Sequence, residues 1–433
     1  MAQPKPQKGG WIIVALLFFF MLINFVDKAV MGLAAVPIMK ELHLTPKQFG
    51  EVAASFFFLF SISAIITGFV VNHIQARWAL LLMALVWALS QFPMFGAVGI
   101  GMLMASRIVL GAGEGPAYPV ALHAAYKWFP NELRTLPTAV IAQGAAIGVV
   151  IALRPLDWVI ETYSWHMAFG LLGVIGMIWV IAWFILGREG SISTTEAPRG
   201  GQTLEWVPYH RLLLNGTMLS GFATGFGAYW GLSLLVSWFT PYLVQGLGFT
   251  QKDASWITTL PWAAGPFVVV FAGWLSQRML AGGITTRGAR GIFGGASVAL
   301  GGFCLVLMPY VPGSALKITM MVAGIAVPSV IYVMGHAMVS EFTPVPQRSA
   351  MLGINNAIAT LAGVVAPMVM GNLVQQAISK GATAADGYER GFLICGIVAV
   401  ICGLIGMVYL RPGSEAARFA AQYRGAPAPA AGE

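Results

Sequence analysis

Twelve times along this chain, a run of roughly 20 predominantly apolar residues is broken off by a short polar connection. Such runs are too long for ordinary buried segments. In hydrocarbon, a helix keeps every backbone N–H and C=O paired within its own segment. The expected fold class is therefore an all-α polytopic membrane protein with twelve transmembrane helices. Its spans fall near 11–37, 48–71, 78–96, 99–126, 134–160, 165–187, 212–245, 252–279, 289–310, 316–340, 348–378 and 390–410. Charged residues make up only 9% of the 433, against about 25% in soluble domains. That is too few to cover a water-facing surface.

Where the remaining charges fall sets the orientation. With a cytoplasmic N-terminus, fifteen of the 24 Lys and Arg residues lie on the inner side and six on the outer (Lys40, Lys47, Lys252, Lys317, Lys380 and Arg390). Basic loops stay inside, so both termini are expected in the cytoplasm. The net charge of +8 then reflects topology and does not mark a nucleic-acid surface. The first apolar run continues through Asp27 to Pro37, longer than the core of a cleaved signal. Cys304, Cys395 and Cys402 lie within spans without metal-ligand spacing, so no metal or redox centre is expected.

The chain divides at a polar segment rich in Gly, Ser and Thr. Residues 1–187 form an expected N-terminal six-helix bundle and 188–211 a cytoplasmic linker. Residues 212–411 form a second bundle and 412–433 a cytoplasmic tail. Internal echoes support duplication. Gly68 precedes Asn72-His73 at the end of one span as Gly273 precedes Gln277-Arg278 at the end of another. Phe129, Pro130 and Arg134 parallel Phe342, Pro344 and Arg348. Two pseudo-symmetric halves are how alternating-access carriers are built, with the substrate held between them.

Four ionisable residues interrupt the apolar spans: Asp27 and Lys28 in the first, Arg107 and Glu114 in the fourth. Charges at that depth persist when they face a cavity and neutralise one another, and they mark transport pathways. Arg107, Gly111, Glu114 and Tyr118 recur at helical spacing and are expected on one face. Arginine grips a carboxylate bidentately. Desolvation favours neutral Glu114 while Arg107 favours its charged form, a competition that an anionic substrate at Arg107 would tip. The pattern points to an organic-anion site coupled to proton movement.

These residues carry a family resemblance. Asn24-Phe25-Val26-Asp27-Lys28 and the block Arg107, Gly111, Gly113, Glu114 and Pro116 resemble the major facilitator superfamily, more narrowly its anion:cation symporters of bacterial sugar and other organic acids. Lys127-Trp128-Phe129-Pro130 and Trp238-Phe239-Thr240-Pro241-Tyr242-Leu243 fit as well, and the resemblance covers the whole length. It implies the major facilitator fold, proton coupling by Asp27 and Glu114, and anion binding by Lys28 and Arg107. It also places Gln143 beside the cavity and one of Asn355 and Asn356 at a substrate-binding position, and Tyr229 and Trp230 stand near a family polar–aromatic pair; Trp238 is a further expected cavity aromatic. His336 is a further titratable candidate, with a hydrogen-bonded buried histidine as its plain alternative.

The departures from the family pattern are informative. Lys28 replaces an arginine. Arg154, eleven residues after Gln143 and so on the same helix face, is either a third cation for the substrate or a local partner of Asp157. Phe25 and Phe60 stand where tyrosine is common and Ala64 where glutamine is, which favours an aromatic or weakly hydroxylated acid. The acidic position of the loop motif is lost to Asn72 and Gln277.

The leading expectation is a proton-coupled importer of an organic carboxylate, with sodium the alternative coupling ion. The other readings are a proton-antiport exporter of amphipathic compounds and a non-transporting membrane sensor of organic acids. No enzyme activity, cofactor, metal or nucleic-acid partner is expected. The expected setting is a monomer in the lipid bilayer of a bacterial inner membrane.

Overall fold

The computed structural model describes residues 6–70, 74–130, 133–192 and 206–423. Asn72 and His73 of the loop motif, residues 193–205 of the linker and the end of the tail lie outside the described residues. Eleven described helices are long and apolar enough to cross a membrane. They are α1 (Gly10–Leu33), α2 (Pro46–Val70), α3 (Ala76–Phe95), α5 (Leu136–Thr162), α6 (Trp165–Leu186), α7 (Gly216–Ser237), α8 (Gln251–Ala281), α9 (Arg287–Tyr310), α10 (Ser314–Phe342), α11 (Arg348–Ser379) and α12 (Ala384–Tyr409).

The span expected at 99–126 is the exception. It runs as two pieces, Ile100–Glu114 and Ala117–Tyr126, together called α4. Pro116 has no N–H to give, and its ring opposes the carbonyl one turn back. The helix therefore breaks directly after Glu114. Tyr118 sits half-buried on the second piece.

Several helices start at a side-chain cap, which satisfies a donor the first turn leaves free. Ser164 accepts from the Met167 N–H, Asn215 from Met218 and Thr250 from Asp253. Thr383 and Asp386 form a reciprocal capping box at α12. α3 is capped from a distance. Glu189, beyond α6, accepts from the N–H groups of Ala76 (3.3 Å) and Arg77 (3.0 Å) and pairs with Lys127. Burial pushes the Glu189 carboxyl up, but Lys127 and these N–H groups outweigh it and hold it below its ordinary value.

Within the first six spans α1 packs on α5, α2 on α4 and α3 on α6; within the last six, α12 packs on α9 and α7. Large apolar side chains such as Leu82, Ile151, Ile178 and Phe267 face outward, as a lipid-facing surface requires. The chain is a multi-pass integral membrane protein. A final amphipathic helix, α13 (Pro412–Tyr423), lays Phe419 against Phe342 at the end of the bundle that holds both described termini.

Three helix pairs join the two groups of six: α2 with α11, α5 with α8, and α1 with α7. The α2–α11 contact is backbone against backbone. A Cβ on Gly50 would lie 2.5 Å from the Pro367 carbonyl oxygen, and one on Gly371 2.4 Å from that of Pro46. Halfway along, the hydroxyls of Ser61 and Thr360 meet at 2.7 Å. At the end remote from the termini, Ser255 of α8 donates to Asp157 of α5 (2.9 Å), and Gln251 to the Leu33 carbonyl of α1 (3.0 Å).

Candidate functional site

The four expected charges meet in the middle of the first six helices. Asp27, Arg107 and Glu114 are each 1% exposed and Lys28 is 8% exposed. Asp27 and Lys28 are adjacent on α1 and so point about 100° apart. Lys28 folds back one turn, donating to the Asn24 side-chain oxygen (2.5 Å) and pairing with Glu114 Oε2 at 2.8 Å. Asp27 turns toward α3, where its Oδ1 accepts from Gln91 Nε2 at 3.0 Å. The carbonyl oxygen of the same amide accepts from Arg107 Nη2 at 2.8 Å, and Arg107 Nη1 reaches the Asp27 backbone carbonyl at 3.5 Å.

The direct cation partner of Glu114 is Lys28, a contact that the spacing within the fourth span does not indicate. Arg107 and Glu114 lie seven residues apart, about 10 Å along the helix axis. Lys28 reaches the lower level and Arg107 holds the upper one. The pattern of α4 fixes which face the charges share, but α1 and α3 decide who meets whom.

Close packing of α4 on α2 makes that meeting possible. A Cβ on Gly111 would lie 1.9 Å from the Phe56 carbonyl oxygen, and one on Gly115 2.2 Å from that of Phe60. With those two glycines, α2 presses its phenylalanines around the lysine. Lys28 Nζ lies 4.6 Å from the Phe25 ring centre, 5.3 Å from Phe60 and 5.8 Å from Phe56, within cation–π range. Arg107 stacks similarly on Phe169 of α6 at 4.9 Å.

Several polar atoms of the cluster are left without a partner. Neither Glu114 oxygen has a well-aligned donor, since Lys28 approaches off the hydrogen-bonding direction; Arg107 Nε and Asn24 Nδ2 also lack acceptors. Each unmet group costs about 1–3 kcal/mol, so the arrangement is not optimised for stability. Lys28 and Arg107 open onto a cavity of about 20 Å³, room for about one water molecule. Met31, Ala53, Phe56 and Phe57 complete the near wall, and Val236 and Ser237 of α7 the far one.

The other expected site residues are dispersed. Tyr229 packs edge-on against Phe57 (5.8 Å) and Tyr332 (6.3 Å) at the boundary between the two groups of helices. Trp230 is buried against Phe226. Trp238 is fully buried, its indole donating to the Pro367 carbonyl (3.1 Å) and its ring edge-on to Phe49, which makes it part of the packing of α7 with α11 and α2. Gln143 is half-buried on α5, Asn355 is buried on α11 and Asn356 half-buried. Arg154 pairs with Asp157 at 2.6 Å, its local alternative, away from Lys28 and Arg107. His336 bonds through Nδ1 to the Tyr332 carbonyl of its own helix.

Gln91, Asn24 and Trp262 were not anticipated as site residues. Asn24 lies in the quoted motif, one turn before Lys28, and that spacing was its signal. Trp262 of α8 packs edge-on to Phe25 at 5.8 Å with its indole N–H unpartnered, closing the site from the other group of helices. A lone glutamine or tryptophan in an apolar span gives no periodic signal.

The chain is 25% identical over 401 residues to a D-galactonate transporter of Escherichia coli O6:H1, covering 86% of this chain and 90% of that one. It is 25% identical over 411 residues to the hexuronate transporter of Bacillus subtilis, covering 92% and 94%. Among solved structures, its fold is similar to an inward-facing bacterial homologue of the human lysosomal transporter Spinster, with a TM-score of 0.76, 16% identity and 98% and 100% of the two chains covered. It is also similar to a D-xylose–proton symporter, with a TM-score of 0.73 and 14% identity over 94% and 99%. The Major Facilitator Superfamily description matches residues 16–323 and 279–432, and the chain belongs to that family of transporters.

Proposed function

We propose that this protein imports an organic carboxylate by proton symport, through alternating access between α1–α6 and α7–α12. One observation carries the reading: two cations, Lys28 and Arg107, share the wall of one cavity at the boundary between the two groups of helices. Each also has an acid within its local network. In this reading the substrate carboxylate takes the place of Glu114 on Lys28 and engages the free Nε of Arg107. A proton on Glu114 releases Lys28 for that exchange. Asp27 is the second proton site. The similarity to D-galactonate and hexuronate transporters supports an acid substrate. The phenylalanine walls favour one with fewer hydroxyls than those sugar acids carry, because a sugar hydroxyl placed there would lose its hydrogen bonds.

The moving bodies are residues 1–187 and 212–411, joined by the linker 188–211 and followed by the tail 412–433. The protein works as a monomer in a bacterial inner membrane with both termini cytoplasmic. Ser255, Asp157, Gln251 and Leu33 then seal the outer end.

The test is thermal stabilisation of the purified protein by benzoate, succinate, D-galactonate and D-glucarate, with tetraphenylphosphonium as a cationic control. A ligand at about 100 times its Kd adds about 2.7 kcal/mol. The expected result is stabilisation by one or more acids, lost in Arg107→Ala, and uptake into liposomes driven by an inward proton gradient. Stabilisation by the cation and by none of the acids would overturn the reading.

A further inference from the structure

We infer that Gln91 is the positioning residue that joins proton binding at Asp27 to anion binding at Arg107, its side-chain amide acting as a two-position switch between them. The inference rests on the anion–proton reading above and extends it to a residue on a third helix. Gln91 is fully buried, the last residue of the regular part of α3 before the tighter turn Phe92–Phe95. Two contacts fix its place. Ser106 of α4 donates to the Ser90 carbonyl at 2.6 Å, holding the two helices in register. Gly173 of α6 leaves room behind it, since a Cβ there would lie 3.2 Å from the Gln91 Cβ.

Both ends of the amide are in use. Its NH2 faces Asp27 Oδ1 and its oxygen faces Arg107 Nη2. The reverse orientation would set a carbonyl oxygen against a carboxylate and an NH2 against a guanidinium. While Asp27 is ionised, the amide is therefore locked in the orientation observed. Arg107 makes no ion pair with the Asp27 carboxylate; its bonds in this network go to the amide and to the Asp27 backbone carbonyl. A direct Asp27–Arg107 pair would neutralise the arginine permanently and close it to a substrate. A neutral spacer avoids that.

A proton on Asp27 changes the balance. The new O–H is a donor, and the amide oxygen of the side chain that Asp27 already contacts can accept it once the amide turns. Turning that oxygen toward Asp27 withdraws it from Arg107, whose Nη2 then becomes available to the substrate carboxylate together with Nε. The charged groups that face this unit are Lys28 on α1 and Glu114 on α4; from α6, the Phe169 ring packs on Arg107. Gln91 does not line the cavity, so it acts on the anion only through Arg107 and Asp27.

The experiment compares wild type, Gln91→Leu and Gln91→Asn in liposomes, with benzoate and D-galactonate as probes. Three quantities are read: stabilisation by the acid, counterflow exchange without a proton gradient, and accumulation driven by one. Leu removes both hydrogen bonds at similar volume, and Asn keeps the amide. A coupling of this kind is worth about 5–150-fold. The expected result is that Gln91→Leu still binds and exchanges the acid, loses most gradient-driven accumulation, and shows anion binding that varies less with pH than in wild type, the Lys28–Glu114 step remaining. Gln91→Asn should recover part of the accumulation. Wild-type accumulation in Gln91→Leu overturns the inference. So does a loss of stabilisation, counterflow and accumulation together in both folded variants, since that marks a structural role. If wild type is stabilised by none of the four acids named above, the anion–proton reading fails first, and this inference with it.

Discussion

Among the described residues, every charged side chain buried from solvent lies in α1–α6: Asp27, Lys28, Arg107, Glu114 and Asp157. The second group of six reaches a similar fold without one. Its ion pairs, Arg290 with Glu341 and Lys317 with Glu389, sit part-exposed at the ends of the bundle. Its central residues are aromatic and hydroxyl-bearing, among them Tyr229, Ser233, Ser237 and Tyr332. The difference teaches a division of labour. Burying charge costs several kcal/mol per ion, and this chain carries that cost in only one of two related bundles. On the proposed function, recognition and coupling share one group of helices, and the other supplies the wall opposite them.

The sharpest way to break this contrast is to remove one member of a pair from each group. Lys28→Met leaves Glu114 buried and unpaired, at an expected cost of about 3–5 kcal/mol. The double variant Lys28→Met/Glu114→Gln should recover most of that stability and none of the transport. Lys317→Met, at a part-exposed pair, should cost no more than about 1 kcal/mol. Thermal unfolding with a transport assay reads all three, and equal costs in the two groups would end the comparison.

Next in size is the contact that spans the groups. Asp157→Ala removes the acceptor for Ser255 and Arg154 and should destabilise by about 1–3 kcal/mol. Spin-label distances between α5 and α8 should lengthen at that end of the bundle. No change in distance would make Asp157 a local partner of Arg154 alone.

Within the site, Phe60→Tyr places a hydroxyl near the caged Lys28. It should shift preference toward hydroxylated acids by a few-fold, about 1 kcal/mol, read as the ratio of benzoate to D-galactonate uptake. The smallest effect lies outside the membrane. Glu189 has a carboxyl held below its ordinary value of 4.5, so its contribution is fully present above that value. It is lost as the pH falls below 4.5 toward the lower folded-state value. Glu189→Gln should therefore unfold more easily than wild type at pH 7, and the gap should narrow in acid.

The sequence makes the spans and the charges legible because both are local signals: length of apolar run, and an ionisable residue inside it. The partners were less legible. That Glu114 meets Lys28 depends on how closely α1, α2 and α4 approach, which Gly111 and Gly115 permit but no spacing rule states. Gln91 is one neutral residue near the end of an apolar span. It shows its meaning only once α3 is seen to lie against both Asp27 and Arg107. The break at Pro116 was present as a proline, yet apolar runs on both sides joined it into one span. Arg154 was readable both ways, and its i+3 neighbour won because Asp157 is buried and needs a cation more than a distant cavity does.

The confinement of the four charges to one rigid body also has an electrical consequence. With both acids ionised, two cations and two carboxylates sum to zero. The empty carrier can then reorient through the membrane field without moving net charge. A transmembrane potential of 100 mV is worth about 2.3 kcal/mol per elementary charge, and the return stroke would feel none of it. On the proposed proton symport, only the loaded stroke senses voltage, and only through its cargo: a monoanion with one proton moves no charge, and with a second proton moves one. For an acid of known charge, the voltage dependence of uptake would then count the protons.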